Sequence, residues 1–487
     1  MHQNGDLELE HAEYSIWHTD HPPIGDEESR RISDAIDQTL SHERELRRKR
    51  KGKEVKVMLL GQAESGKSTL QKQFQLYYAS QTLDKERPSW RPIVYSNILK
   101  ALRMIFEELD RQYSVPAPPT ADTAVTSPSS LSMSSSTSSA TIVASAAWPS
   151  DLQSLYTTLA PLVANKDALA AEVSGGITVS GGRTGVYVRA GWQTLITPNR
   201  AWPLPDIRGG AARPADAASL VAQLLLETRA EVAELWQHPV VRKLLSTNKV
   251  RLEESASFFL DEIERIAAAE YMPSTEDILH VRLQTLGVTE HSFDIDIGGR
   301  YFNWLLYDVG GARGQRHAWV PYFEDATAII FLAPMSAFDQ YLDEDPRTNR
   351  IDDSLQLFTA ICQNKLLSKA ALILMLNKAS PPIPARSCRL GADIYCYIQA
   401  DLLKKKLEAG IKVRKYISSY GDRPNTYEEV SEYFRAHFIQ THKRRDVSNR
   451  ALYTHFTSML DIKATQSIIV TVGEAIIRSH LSSVGLS

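Results

Sequence analysis

The stretch GQAESGKST, Gly61 to Thr69, follows directly on the β-rich run EVKVMLLG, Glu54 to Gly61, and no other feature constrains the fold of this chain so tightly. It matches G-x-x-x-x-G-K-[ST] in the context that gives the pattern meaning, a buried strand before the loop and a helix, expected from Lys67, after it. The glycines permit a tight loop whose backbone N–H groups turn inward toward phosphate oxygens. The positive end of the following helix adds to that attraction. In such a loop Lys67 reaches the β and γ phosphates and Ser68 ligates Mg²⁺. By itself the loop leaves ATPases, nucleotide kinases and GTPases open.

Two further segments narrow the choice. YDVGG, Tyr307 to Gly311, ends an apolar run in an aspartate and two glycines. Asp308 at a strand end can reach a water on Mg²⁺, and Gly310 or Gly311 can offer a backbone N–H to a γ-phosphate. VRLQTLG, Val281 to Gly287, sets an arginine and a threonine three residues apart, just ahead of the strand that precedes Asp308. The Arg282 guanidinium can neutralise charge on a transferring phosphoryl group, and the Thr285 hydroxyl can complete a Mg²⁺ shell.

A length of 487 residues exceeds one ordinary domain, which predicts two packed units with some sequence left outside them. Residues 1 to about 26 are polar, and from Glu27 a helix is expected with Ile32, Ile36 and Leu40 on one face, running into the basic block RELRRKRKGK. Residues 115–150 are dominated by Ser, Pro, Thr and Ala and cannot bury enough apolar surface to fold alone. They separate two helical patterns, IVYSNILKALRMIFEELDRQY and AASLVAQLLLETRAEVAELW. After about Ser274 short strands, at Phe293–Ile297, Phe302–Tyr307, Ala328–Leu332 and Ala371–Leu376, alternate with helices. This alternation predicts a mostly parallel sheet covered on both faces. A formal net charge of −3 gives no overall pull toward nucleic acid or membrane. Cys362, Cys388 and Cys396 lack metal-ligand spacing and point to a reducing compartment. No run reaches the ~20 apolar residues that cross a bilayer, and the acidic N-terminus is unlike a signal peptide. The expectation is a cytoplasmic protein.

Taken in order, GQAESGKST, YMPSTEDILHVRLQTLGVTEH, YDVGG, LMLNK, NTYEEVSEYF and YTHFT resemble the α subunits of heterotrimeric G proteins. The likeness runs from about Lys53 to the C-terminus, apart from the Ser/Pro-rich insertion and an extension around Ala385 to Tyr420. It implies an α/β P-loop GTPase (Ras-like) parallel-sheet domain with an inserted all-α helical domain. The expected boundaries are an N-terminal tail and helix at 1–53, a first GTPase segment at 54–80, the helical insert at 81–275 and a second GTPase segment at 276–487. By the same resemblance the ligands are GTP or GDP and Mg²⁺. Glu64, Ser65, Gly66, Lys67, Ser68 and Thr69 would bind the phosphates, with Ser68 and Thr285 on the metal and Asp308 supporting it. Gly311 would meet the γ-phosphate. Arg282 would be a built-in arginine finger paired with Glu64. Leu279 would lie against the ribose, Asn377 and Lys378 would hold the guanine ring, and the YTHFT run would lead to a second base loop at Met459. Implied partners are a Gβγ-like dimer, a membrane receptor at the C-terminal helix and an effector at the segments around Thr285, Gly310 and Glu344, with no nucleic acid.

The departures from the family pattern carry expectations of their own. The glutamine that follows DVGG in the family, where it orients the attacking water, is Ala312, so hydrolysis is expected to be slow. Ala312→Gln is expected to raise phosphate release by about an order of magnitude or more. Gln315 is expected to stand too far along the chain to replace it. Asn-Lys-x-Asp runs Asn377, Lys378, Ala379, Ser380, which removes the charge that accepts from guanine. Thr-Cys-Ala-Thr runs Thr457, Ser458, Met459, Leu460. Residue 2 is His2, not the glycine that myristoylation needs, which leaves membrane contact to partners or to the basic helix. Two alternatives to the switch stand on these losses: a non-catalytic scaffold of the same fold, and an ATP-using P-loop enzyme.

Overall fold

The computed structural model describes residues 31, 37–38, 41, 54–113, 148–175, 187–188, 191–193, 217–247, 252–297, 299–378 and 402–484. Two compact units divide the chain, Met1–Glu54 and Val55–Ser487. In the first, Arg31, Asp37, Gln38 and Ser41 are helical and exposed, and the expected basic block lies outside the described residues. Most of the Ser/Pro-rich insertion and Ser380 also lie outside them.

Six strands build the main sheet: β1 (Glu54–Gly61), β2 (Val288–Ile297), β3 (Arg300–Val309), β4 (Ala328–Pro334), β5 (Ala371–Asn377) and β6 (Leu452–Thr457). Their order is β2-β3-β1-β4-β5-β6. β1 with β4, β4 with β5, and β5 with β6 are parallel, while β2 and β3 form an antiparallel hairpin at one edge. The mostly parallel sheet expected from the alternation of strands and helices is therefore present, with an antiparallel hairpin at one edge.

The central strand β4 is apolar and buried at every position because both faces of the sheet are covered. In β4, Ile329, Phe331 and Ala333 enter one core, while Ala328, Ile330 and Leu332 enter the other. β1 divides the same way, Met58 and Leu60 against Val55, Val57 and Leu59, as a repeat of two residues along a strand dictates. The helix Lys67–Tyr78 and the long C-terminal helix Ile462–Val484 cover one face, through Phe74, Ile469 and Val472. Arg350–Gln363 and Tyr427–Arg445 cover the opposite face, through Phe358, Phe434 and Phe438.

A third core belongs to the helices between β1 and β2. The helix Ser80–Tyr113 runs unbroken through Pro88 and Pro92 and carries Ile98, Leu102 and Leu109 into it. The helical pattern AASLVAQLLLETRAEVAELW is divided at Thr228 into Ala217–Glu227 and Arg229–Gln237. Apolar stripes on these helices face one another, which is why this segment forms a core of its own.

Candidate functional site

Parallel pairing brings the carboxyl ends of the strands to one edge: Gly61 of β1 lies opposite Leu332, and Asn377 of β5 lies opposite Thr457 of β6. Ligands of open α/β sheets bind outside such an edge. Here the edge borders a cavity of about 550 Å³. Of the residues singled out from the sequence, Glu64, Gly66, Lys67, Ser68, Thr69, Leu279, Arg282, Thr285, Gly311, Asn377, Lys378 and Met459 line it. Ser65 and Asp308 stand behind the wall, both buried. Ser65 joins the site through its carbonyl, which accepts from Asn377 Nδ2 at 2.7 Å.

Three residues of the loop have positive φ, Gly61 at its start and Glu64 and Gly66 within it. Gly66 has φ of 101°, and a β-carbon there would collide with the Asn377 carboxamide, so only glycine serves. Glu64 takes φ of 63° without that freedom, and two arginines hold it: Arg350 Nη1 donates to Oε2 at 2.7 Å, and Arg282 Nη2 pairs with Oε1. The expected Glu64–Arg282 pair is thus formed. Lys67 Nζ donates to the loop carbonyls of Gly61 at 3.0 Å and Gln62 at 2.5 Å. Burial pushes its ammonium down to about 8, against the pull of Asp308.

Three oxygens converge where a metal would be needed. Ser68 Oγ donates to Asp308 Oδ2 at 2.7 Å, Thr285 Oγ1 donates to the same oxygen at 3.0 Å, and the two hydroxyls lie 3.1 Å apart. The second carboxylate oxygen, Asp308 Oδ1, is buried and makes no hydrogen bond within the protein. A compact set of hard oxygen donors with an unsatisfied carboxylate oxygen suits Mg²⁺ in its chemistry.

Arg282 is fixed from the helical segment. Asn97, on Ser80–Tyr113, accepts from Arg282 N at 2.9 Å through Oδ1 and donates to Arg282 O at 3.0 Å through Nδ2. Glu253 adds a longer pairing at 3.6 Å. Burial lowers the guanidinium to about 10, with the charge of Arg350 acting in the same direction, so it stays cationic at neutral pH. Lys72, buried beneath this segment, donates to Ile278 O at 2.7 Å and Val281 O at 3.0 Å. Nothing in the sequence marks Asn97, Glu253 or Lys72 as belonging to the site, because each acts from a distant element on a backbone or a charge.

The segment after DVGG is anchored to the phosphate loop through one carboxylate. Asp353 accepts from Arg316 Nη2 at 2.6 Å, Arg313 Nε at 3.0 Å and Gln62 Nε2 at 2.7 Å. Burial raises its pKa, but the hydrogen bonds and charges of the two arginines outweigh that and hold it below the usual carboxylate range. Gly311 packs so closely on Gln62 and Ala63 that a β-carbon would not fit.

Gln315 departs from expectation. Its side chain lines the cavity and lies directly against Gly310. The chain from Arg313 to Tyr322 is a 3₁₀ helix with Ala312 as its N-cap, and Gln315 N donates to Ala312 O at 3.0 Å. Side chains three residues apart eclipse one another in this helix type. An offset of three therefore returns Gln315 to the side of Ala312 instead of carrying it away.

At the other end, Asn377 spends its carboxamide inside the protein, donating to Ser65 O and accepting at 3.4 Å from both Thr457 Oγ1 and Met459 N. Lys378 (φ 64°), Leu402, Lys405, Ser458, Met459 and Leu460 line the cavity there. Phe258 and His280, which also line the cavity, stack with ring centroids 3.8 Å apart.

The family model of the G-protein alpha subunit matches residues 30–380. The chain belongs to this family. Like its other members, this Gα protein is a guanine-nucleotide-binding signalling switch and a GTPase. It is 32% identical over 515 aligned residues to the guanine nucleotide-binding protein alpha-4 subunit of Mycosarcoma maydis, covering 90% of this chain and 84% of that protein. The alpha-1 subunit of the same organism is 27% identical, over 95% and 98% of the two chains. The G(o) subunit alpha of Lymnaea stagnalis is also 27% identical, over 89% and 91%. Members of the family bind guanine nucleotide, typically with Mg²⁺, and generally partner with Gβγ, receptors and effectors. Among the described residues of this Gα protein, no helix is long and apolar enough to cross a membrane.

Proposed function

We propose that this Gα protein binds GTP and Mg²⁺ in the cavity at the carboxyl edge of its sheet, hydrolyses GTP slowly, and signals by the conformation of the segments around Thr285, Gly310 and Glu344. The observation that carries the reading is the convergence of Ser68, Thr285 and Asp308 beside Lys67 and Arg282. Glu64 through Thr69 hold the phosphates, with Lys67 as the buried cation. Ser68 and Thr285 would hold Mg²⁺ with Asp308 behind them. The ion, when bound, neutralises charge on the β and γ oxygens. Arg282, kept cationic and clamped by Asn97, faces the charge that develops during transfer. Gly311 supplies a backbone N–H to the γ-phosphate, Leu279 lies against the ribose, and Lys378 and Met459 border the base, with Asn377 holding that loop to Ser65. Asn377 therefore acts on the base through the loop more than by its own amide, and Ala312 offers nothing to a water.

A helical insert at 81–275 would lie between GTPase segments at 54–80 and 276–487; a separate helical core, which also takes in Ile278 and Val281, supports that division. Its partners would be a Gβγ-like dimer, a receptor at the helix Ile462–Val484 and an effector at the nucleotide-sensitive segments, and membrane contact would come through the Gβγ-like partner or the basic stretch from Arg44 to Lys53.

The test follows fluorescent GTP and ATP analogues on the purified full chain with and without Mg²⁺, then measures phosphate release in a single turnover. Mg²⁺-dependent GTP binding with measurable release is expected. Absence of binding would leave a scaffold, and a preference for ATP would overturn the guanine reading.

A further inference from the structure

The catalytic segment of this protein lacks the family's glutamine at 312 yet holds another carboxamide over the same turn. Gln315 Oε1 is buried and makes no hydrogen bond within the protein. It lies above the bare Cα of Gly310, where a β-carbon would collide with it. A second acceptor converges on the same point, since that β-carbon would also stand 2.7 Å from the carbonyl oxygen of Thr285. Both Thr285 and Gln315 line the cavity beside Gly311, Lys67 and Arg282.

We infer that Gln315 is the group that orients the attacking water in this protein, in place of the absent glutamine. The inference rests on the proposed GTPase reading. A water has two protons to give, and Gln315 Oε1 and Thr285 O are two acceptors on one side of it. Donating to both turns its lone pair toward the remaining direction, the cavity, where the γ-phosphate lies in the proposed binding mode. A buried acceptor left unpaired is costly, and turning the carboxamide from Gly310 into the cavity to meet a water removes that cost. As the water oxygen bonds to the γ-phosphorus, the bond from that phosphorus to the β–γ bridging oxygen breaks, and GDP leaves with the electron pair. The water's proton ends on the phosphate product. The carboxamide gains and loses no proton; it only orients, and its Nε2 can donate to an equatorial oxygen.

The 3₁₀ geometry supplies the placement. Ala312 is the extended N-cap of the turn and Gln315 N donates to its carbonyl oxygen, so the two residues adjoin across the first turn and the longer side chain of Gln315 can reach the site that a residue at 312 would reach directly. Ala312, with only a methyl group, leaves that path open. Asp353 fixes the turn by binding Arg313 and Arg316 on either side of Gln315.

The experiment compares wild type, Gln315→Leu, Gln315→Asn and the double variant Ala312→Gln/Gln315→Leu, all as full chains. Three quantities are read: affinity for GDP, affinity of the GDP complex for aluminium fluoride, which mimics the planar transferring phosphoryl, and single-turnover phosphate release. Gln315→Leu should lower release by about tenfold or more and weaken aluminium fluoride capture to match, with GDP affinity and melting temperature unchanged. Gln315→Asn, which keeps the amide but withdraws it by a methylene, should fall between, and the double variant should recover release. Unchanged release in Gln315→Leu, or a parallel loss of GDP affinity, would overturn the assignment. Failure of wild type to bind GTP would instead overturn the switch reading on which it stands.

Discussion

At the phosphate end of the cavity Ser68, Thr285 and Asp308 lie within 3.1 Å of one another, with a buried lysine and a clamped arginine beside them. At the other end Met459, Leu460 and Leu402 share the wall with Lys378 and Lys405, and the acidic residue of the family's base motif is replaced by Ser380. One end is densely charged, hydrogen-bonded and redundant; the other mixes Leu402, Met459 and Leu460 with two lysines and has lost its carboxylate. The contrast teaches that affinity and selectivity are separable in this molecule. Phosphate is gripped by groups that every nucleoside triphosphate satisfies, while the preference for guanine depends on few contacts.

Arg282→Ala is expected to break the phosphate end most severely, slowing single-turnover phosphate release by about 10³-fold, the low end for an arginine supplied in cis. GTP affinity should change little, and a comparable loss of affinity would make Arg282 a binding residue. Next, Lys67→Ala should weaken both GTP and GDP by about 10²-fold in a fluorescence titration, since it removes a buried charge-assisted donor. Equal binding by the variant would mean that the loop backbone alone carries recognition.

A smaller effect comes from pH. With Lys67 at about 8, its cationic form dominates below that value. Phosphate binding favours the protonated ammonium, so affinity should be level below about pH 8 and fall above it by up to about tenfold per unit, with proton uptake on binding. Calorimetry of GDP binding in buffers of different ionisation enthalpy reads that uptake directly, and its absence above pH 8 would contradict the buried-lysine account. The smallest change is expected at the base end: Ser380→Asp should raise the preference for GTP over ATP by about fivefold, the difference between a neutral and a charge-assisted acceptor. If the ratio does not move, another group reads the base.

Much of this was legible in the chain. The strand, loop and helix from Glu54 to Tyr78 appear where the Gly-Lys-Ser pattern requires them, and the pairing of Arg282 with Glu64 is formed. Local spacing suffices in such cases, since the backbone that makes the loop is the backbone that meets phosphate. The β2–β3 hairpin was legible as two strands, but its start at Val288 was not, because Thr289 to Ser292 is an unbroken polar run that gains its pairing from β3. Asn97 and Asp353 were not legible at all, since each acts across a long stretch of chain on an atom that no local pattern names.

Gln315 draws the line between the two kinds of knowledge. The sequence by itself determined that residue 312 is alanine, that a glutamine follows three residues later, and that the phosphate loop, the arginine and the metal hydroxyls belong to one site. It did not determine where that glutamine points. Tertiary packing decided that, because Asp353 and the Trp319 indole, which donates to Gly310 O at 3.0 Å, pin the turn as a 3₁₀ helix with three residues per turn. A position three residues away in sequence is thereby made a neighbour in space.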